Sequence, residues 1–81
     1  MIIYIGELME ENNDYKFTER ETEILKELVS GKNNTQIADE MCLSIHTVKF
    51  YVSSILAKLS VTTRLEAAVK VVKEHIIEPE Q

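Results

Sequence analysis

What this chain has least of is the material for cross-links, catalysis and membrane insertion. A single cysteine, Cys42, rules out an intramolecular disulfide framework. With only His46 and His75 beside it, the chain offers no Cys/His cluster for zinc, so no metal is expected. The lone thiol fits a reducing cytosol. No Lys or Arg flanks it, and it reads as a buried, inert thiol in an interhelical turn. No Ser/His/Asp or paired-carboxylate arrangement is apparent, and short helices leave little room for a substrate cleft. Neither an enzyme nor a bound cofactor is therefore expected. The apolar opening run MIIYI is too short to span a membrane and lacks the basic flank of a signal peptide. The expectation is a soluble, cytoplasmic protein with no membrane partner.

Length sets a further limit. Eighty-one residues allow one domain, and a domain this small buries only about 60% of its unfolded surface. Such a core is marginal, and a partner subunit or ligand would add to it. Positive charge is scarce as well: nine Lys and Arg stand against fourteen Asp and Glu, for a net charge of −5. That is the wrong sign for a typical nucleic-acid binder. The distribution is more telling than the total. Residues 44–64 hold Lys49, Lys58 and Arg64 and no acid at all, whereas 1–17, 18–43 and 65–81 are each net acidic.

What is present is helical punctuation. Residues 1–16 read as an N-terminal arm or linker. Thr18-Glu19-Arg20-Glu21 is a capping box, in which the threonine hydroxyl and the glutamate satisfy each other's backbone amides. Ile24, Leu25, Leu28 and Val29 follow at helical spacing and Gly31 supplies a left-handed stop, which predicts a first helix over 19–30. Asn33 or Asn34 caps a short second helix bearing Ile37, Ala38 and Met41. Ser44 caps a longer third helix whose stripe of Val48, Val52, Ile55, Leu56 and Leu59 faces inward. Thr63-Arg64-Leu65-Glu66 is a second capping box, opening a fourth helix to about residue 75, and Pro79 ends regular structure. Residues 17–78 thus form an all-α domain of four helices, followed by a tail at 79–81. There is no repeat and no low-complexity region.

Residues 34–53 carry the functional signal. Two helices joined by a tight turn must bury a fixed set of side chains to cross at the angle that presents the second to DNA. Ile37, Ala38, Met41, Leu43 and Val48 supply that set. On the other face of helix three, His46, Lys49, Phe50 and Ser53 recur three or four residues apart and would enter a major groove together. Lys49 suits guanine O6/N7 or a phosphate. Phe50 suits a thymine methyl, and Ser53 either kind of base edge. Ser44, Thr47 and the first amides of the helix are placed to grip phosphate oxygens. By spacing alone, two short amphipathic helices fit an ordinary bundle as well as a DNA reader, and Phe50 fits an interface anchor.

Four blocks, FTERETEIL, GKNNTQIADEM, LSIHTVKFYVSSILAKL and TTRLEAAV, in this order and spacing, resemble the LuxR/NarL/GerE type of helix-turn-helix. The resemblance covers residue 17 to about 77. It implies a four-helix domain with helix three as the recognition helix, base-edge contacts from Lys49, Phe50 and Ser53, and phosphate contacts from Asn34, Thr35, Thr47 and Lys58. Dimerisation through the last helix is implied too. The sequence departs from the usual pattern at Phe17, where leucine is common, at Thr35, where lysine is frequent, and at Tyr51, where histidine is. Ser60 stands where glycine is usual, so it must turn left-handed or the turn must differ.

Helix four carries two apolar stripes. Ala67, Ala68 and Val71 are small enough to lie close against helix one. Leu65, Val69, Val72 and Ile76 then form a ridge facing away, read as a homodimer interface or as a seat for Ile2, Ile3, Tyr4 and Ile5 of the arm. Glu19, Glu21, Glu23 and Glu27 read as a solvated face, with Glu21 capping, or as a contact for RNA polymerase. The leading expectation is a sequence-specific transcriptional regulator binding double-stranded DNA as a dimer on a two-part site. It would be free-standing or the output domain of a response regulator. The alternative is a protein-interaction module that sequesters a related regulator through helix four.

Overall fold

The computed structural model describes residues 15–76, and within them four α-helices follow one another with no strand. They are α1 (Glu19–Val29), α2 (Asn34–Met41), α3 (Ile45–Leu59) and α4 (Arg64–Lys73). Residues 1–14 of the arm, with Ile2, Ile3, Tyr4 and Ile5, and residues 77–81, the tail at 79–81 among them, lie outside the described residues.

Each helix starts where a side chain can take over an orphan amide. Thr18, Asn33 and Thr63 each accept from the amide three residues on, and Glu21, Gln36 and Glu66 reach back to complete three capping boxes. Of the two asparagines open as caps for α2, Asn33 takes the role. Ser44 caps α3 through its hydroxyl alone.

The ends are as uniform as the starts. Every helix closes with paired backbone bonds around one left-handed residue: Gly31, Cys42, Ser60 and His75, with φ between 56° and 98°. Glycine occupies that position only after α1. Of the two alternatives open at Ser60, the left-handed one holds (φ 60°, ψ 41°). The residue after each turn is sent back over the helix end, so Leu43, Val61 and Ile76 pack on the core.

This closure corrects two expectations. Cys42 is exposed rather than buried, because the turn directs Leu43 inward in its place. Helix four stops at Lys73, short of residue 75, and His75 (φ 56°) reverses the chain. Ile76 therefore drops into the core, only 9% exposed, and is not on the outward ridge with Leu65, Val69 and Val72.

The core runs through all four helices. Ile24 and Leu25 of α1, Ile37 of α2, Val48, Ile55 and Leu59 of α3, and Ala67 and Val71 of α4 are fully enclosed. Helix α3 lies centrally, packed on α1, α2 and α4, while α2 and α4 do not pack on each other. Small residues decide the close approaches: Ala38 lets α2 cross α3, and Ala67 lets α4 lie against its neighbours. Leu56, expected on the inward stripe, sits at its edge and is half-buried.

Candidate nucleic-acid interface

The pair α2–α3 is held by a turn with little freedom. Ile37, Ala38 and Val48 are buried between the helices, and Met41 and Leu43 close the flank. The Ser44 Oγ accepts from the Thr47 amide at 3.0 Å and donates to Thr47 Oγ1 at 2.9 Å. In that direction the Thr47 O–H is left to donate outward.

With Val48, Val52 and Ile55 turned inward, the opposite face of α3 is committed to solvent. His46, Lys49, Phe50 and Ser53 are all exposed on it. Phe50 is 67% exposed, its ring in a T-shaped contact with that of Tyr51, centroids 5.9 Å apart. The exposed ring gives this otherwise polar face an apolar contact surface. Lys49 enters no ion pair among the described residues. Beside it, Ile45 is 42% exposed. Sequence reasoning missed Ile45, since an isoleucine directly after the cap looks like core.

Lys58 and Lys32, by contrast, are engaged. Lys58 Nζ lies 2.7 Å from Glu21 Oε1, donates to the Lys16 carbonyl at 3.1 Å and sits 5.8 Å from the Phe17 ring centre. Glu21, expected on a solvated face, is instead buried, 5% exposed. It also accepts from the Thr18 amide at 2.9 Å and from Ser54 Oγ at 2.9 Å. Burial by itself would push the Glu21 carboxyl pKa up. The hydrogen bonds from Lys58, Thr18 and Ser54 and the lysine charge outweigh it, so the pKa falls below the ordinary value. Lys58, assigned to a phosphate by resemblance, thus has its charge compensated within the fold. Lys32 bridges Glu27 and Glu40, which raises its pKa.

At the start of α2, Thr35 is exposed and Asn34 half-buried. Asn34 Oδ1 accepts from Arg64 Nη2 at 3.0 Å, and Arg64 Nη1 lies 3.5 Å from the Lys32 carbonyl. The structure thus brings Asn34 and Thr35 to one end of α2 and the His46–Ser53 face onto α3. On α4, Leu65 is 72%, Val69 52% and Val72 49% exposed. Glu19 and Glu23 remain exposed on α1. No described helix is long and apolar enough to cross a membrane.

Comparison with known proteins agrees with this arrangement. The family model described as bacterial regulatory proteins, luxR family (GerE), matches residues 15–71. The chain is 42% identical over 67 residues to the uncharacterized transcriptional regulatory protein YhcZ of Bacillus subtilis, covering 83% of this chain and 31% of that protein. It is 42% identical over 60 residues to the transcriptional regulatory protein LiaR of the same organism, 74% of this chain and 28% of LiaR. The response regulator protein VraR of Staphylococcus aureus is 41% identical over 61 residues, 75% of this chain and 29% of VraR. The chain spans about a third or less of the length of these relatives.

Proposed function

The chain belongs to the luxR family of bacterial regulatory proteins, and from that premise we propose that it is a sequence-specific, DNA-binding transcriptional regulator. The observation that carries this reading is the exposed, uncommitted face of α3 bearing His46, Lys49, Phe50 and Ser53. A helix of this width fits a major groove. In that groove Lys49 reads guanine, Phe50 covers a thymine methyl, and His46 and Ser53 reach neighbouring base edges. Asn34 and Thr35 at the start of α2, and Ser44 and Thr47 at the start of α3, hold phosphates, which set the register of α3. Lys58, occupied by Glu21, contributes to the fold in place of the phosphate contact that the resemblance implied.

The protein acts by binding rather than catalysis, in the cytoplasm. Two copies pair through Leu65, Val69 and Val72, giving a two-part site in which each half-site receives one α3. The exposed Glu19 and Glu23 face is left for RNA polymerase. Selection of bound sequences from a random duplex library tests the reading. Enrichment of an inverted or direct repeat is the expected result. No enrichment, together with no retention on plain duplex at low salt, would favour the sequestering module acting through α4.

A further inference from the structure

Helices α2 and α4 do not pack on each other, yet one side chain joins them. Arg64, the first residue of α4, reaches the start of α2 and donates to Asn34 Oδ1 at 3.0 Å, with the Lys32 carbonyl 3.5 Å from its other terminal nitrogen. No carboxylate among the described residues pairs with it. Its Nε is buried and without a hydrogen-bond partner. A guanidinium held this way, with an unsatisfied donor and no counter-charge, is not explained by stability.

We infer that Arg64 is the positioning residue of a phosphate contact made by Asn34, and that its uncompensated charge is completed by that same phosphate. The inference rests on the DNA-binding reading and names a residue which that reading does not use. Arginine can only donate, so Asn34 must present its oxygen to Arg64. Its amide NH2 is thereby turned the other way, with two donors for an anion. Free rotation of the amide would offer a phosphate either a donor or a repelling oxygen, whereas the Arg64 bond admits only the donor. The acceptor must be an anion, because Arg64 and the first amides of α2 put positive potential at this point. The same bond ties the grip on DNA to α4, the helix that carries the exposed apolar ridge.

A double-variant cycle on the whole chain tests this, with binding to a short mixed-sequence duplex measured at low salt and helicity checked by circular dichroism. Asn34→Ala should weaken binding roughly tenfold, the effect of a hydrogen bond to a charged group. Arg64→Met should weaken it at least as much, and adding Asn34→Ala to Arg64→Met should then bring no further loss. Asn34→Asp keeps the test decisive if Arg64→Met does not fold. Its carboxylate still accepts from Arg64, so the melting temperature should hold or rise. It offers no donor and repels phosphate, so binding should fall below that of Asn34→Ala. The same Asn34→Ala loss in both Arg64 backgrounds, or wild-type affinity in either Asn34 variant, overturns the positioning role alone. A wild-type chain that does not bind duplex at all overturns the DNA-binding reading and this inference with it.

Discussion

Lys58→Met is the substitution that most sharply separates a phosphate contact from a structural pair. The Glu21 side chain is 7% exposed and that of Lys58 33%, with 2.7 Å between the charges. Removing the lysine leaves a buried carboxylate held only by the Thr18 amide and the Ser54 hydroxyl. Breaking a buried pair from one side costs about 3–5 kcal/mol. Because Lys58 is a third exposed, water already screens part of the attraction, and ~2–3 kcal/mol is the better figure. For a domain of this size each kcal/mol shifts Tm by about 4–8 °C, so a fall of roughly 10–20 °C is expected. The loss should depend on pH in a fixed direction. In the wild type the Glu21 pKa is lowered, so the pair stabilises the fold above the ordinary glutamate pKa. That contribution fades as pH falls through the depressed folded-state value. The difference between wild type and variant is thus greatest at neutral pH and narrows in acid. Thermal melts from neutral to acid pH would measure it, and salt titrations of duplex affinity supply the other half. If Lys58 held a phosphate, a dimer lacking it would show a log–log salt slope shallower by about 1.8. The structure predicts no change in slope. A variant that keeps its Tm and loses that slope would refute the reasoning.

Other consequences are open to direct measurement. Lys49→Ala should weaken specific binding by ~1–3 kcal/mol and change the preferred base at one position per half-site, read by repeating the library selection; unchanged affinity and preference would remove Lys49 as base-reader. Val69→Asp with Val72→Asp should hold the protein monomeric in sedimentation at high micromolar concentration while the helical spectrum is kept. A wild type equally monomeric there would place the dimer contact elsewhere. Ser60→Gly should stabilise the fold by ~0.5–1 kcal/mol, since Ser60 sits at φ 60° where an L side chain is strained. A lowered Tm in that variant would mean the serine side chain contributes more than the strain costs.

Local signals in the sequence determined most of the fold. Capping boxes at Thr18 and Thr63 and the cap at Ser44 act over three or four residues. Their chemistry is complete within the local chain, so helix starts were legible without knowing what packs where. The inward stripe of α3 and the exposure of His46, Lys49, Phe50 and Ser53 follow from helical period alone. At Ser60 the sequence left two alternatives, a left-handed serine or a different turn, and the structure takes the first.

Tertiary structure decided what depends on partners distant in sequence. Glu21 reads locally as one of four acids on a wet face. Its burial comes from Ser54 and Lys58, 33 and 37 residues away. The pairing of Lys58 with Glu21 is likewise something that no periodicity encodes. Ile76 continues the spacing of the α4 ridge, but a left-handed His75 breaks the helical period one residue earlier and turns it into the core. Cys42, at the left-handed position after α2, is exposed for the same kind of reason, while Leu43 packs on the core as expected. The Arg64–Asn34 bond spans 30 residues and joins two helices whose backbones do not approach closely. A helix period assigns side chains to a face only while the helix lasts, and charge pairing depends on distances that the packing of helices sets.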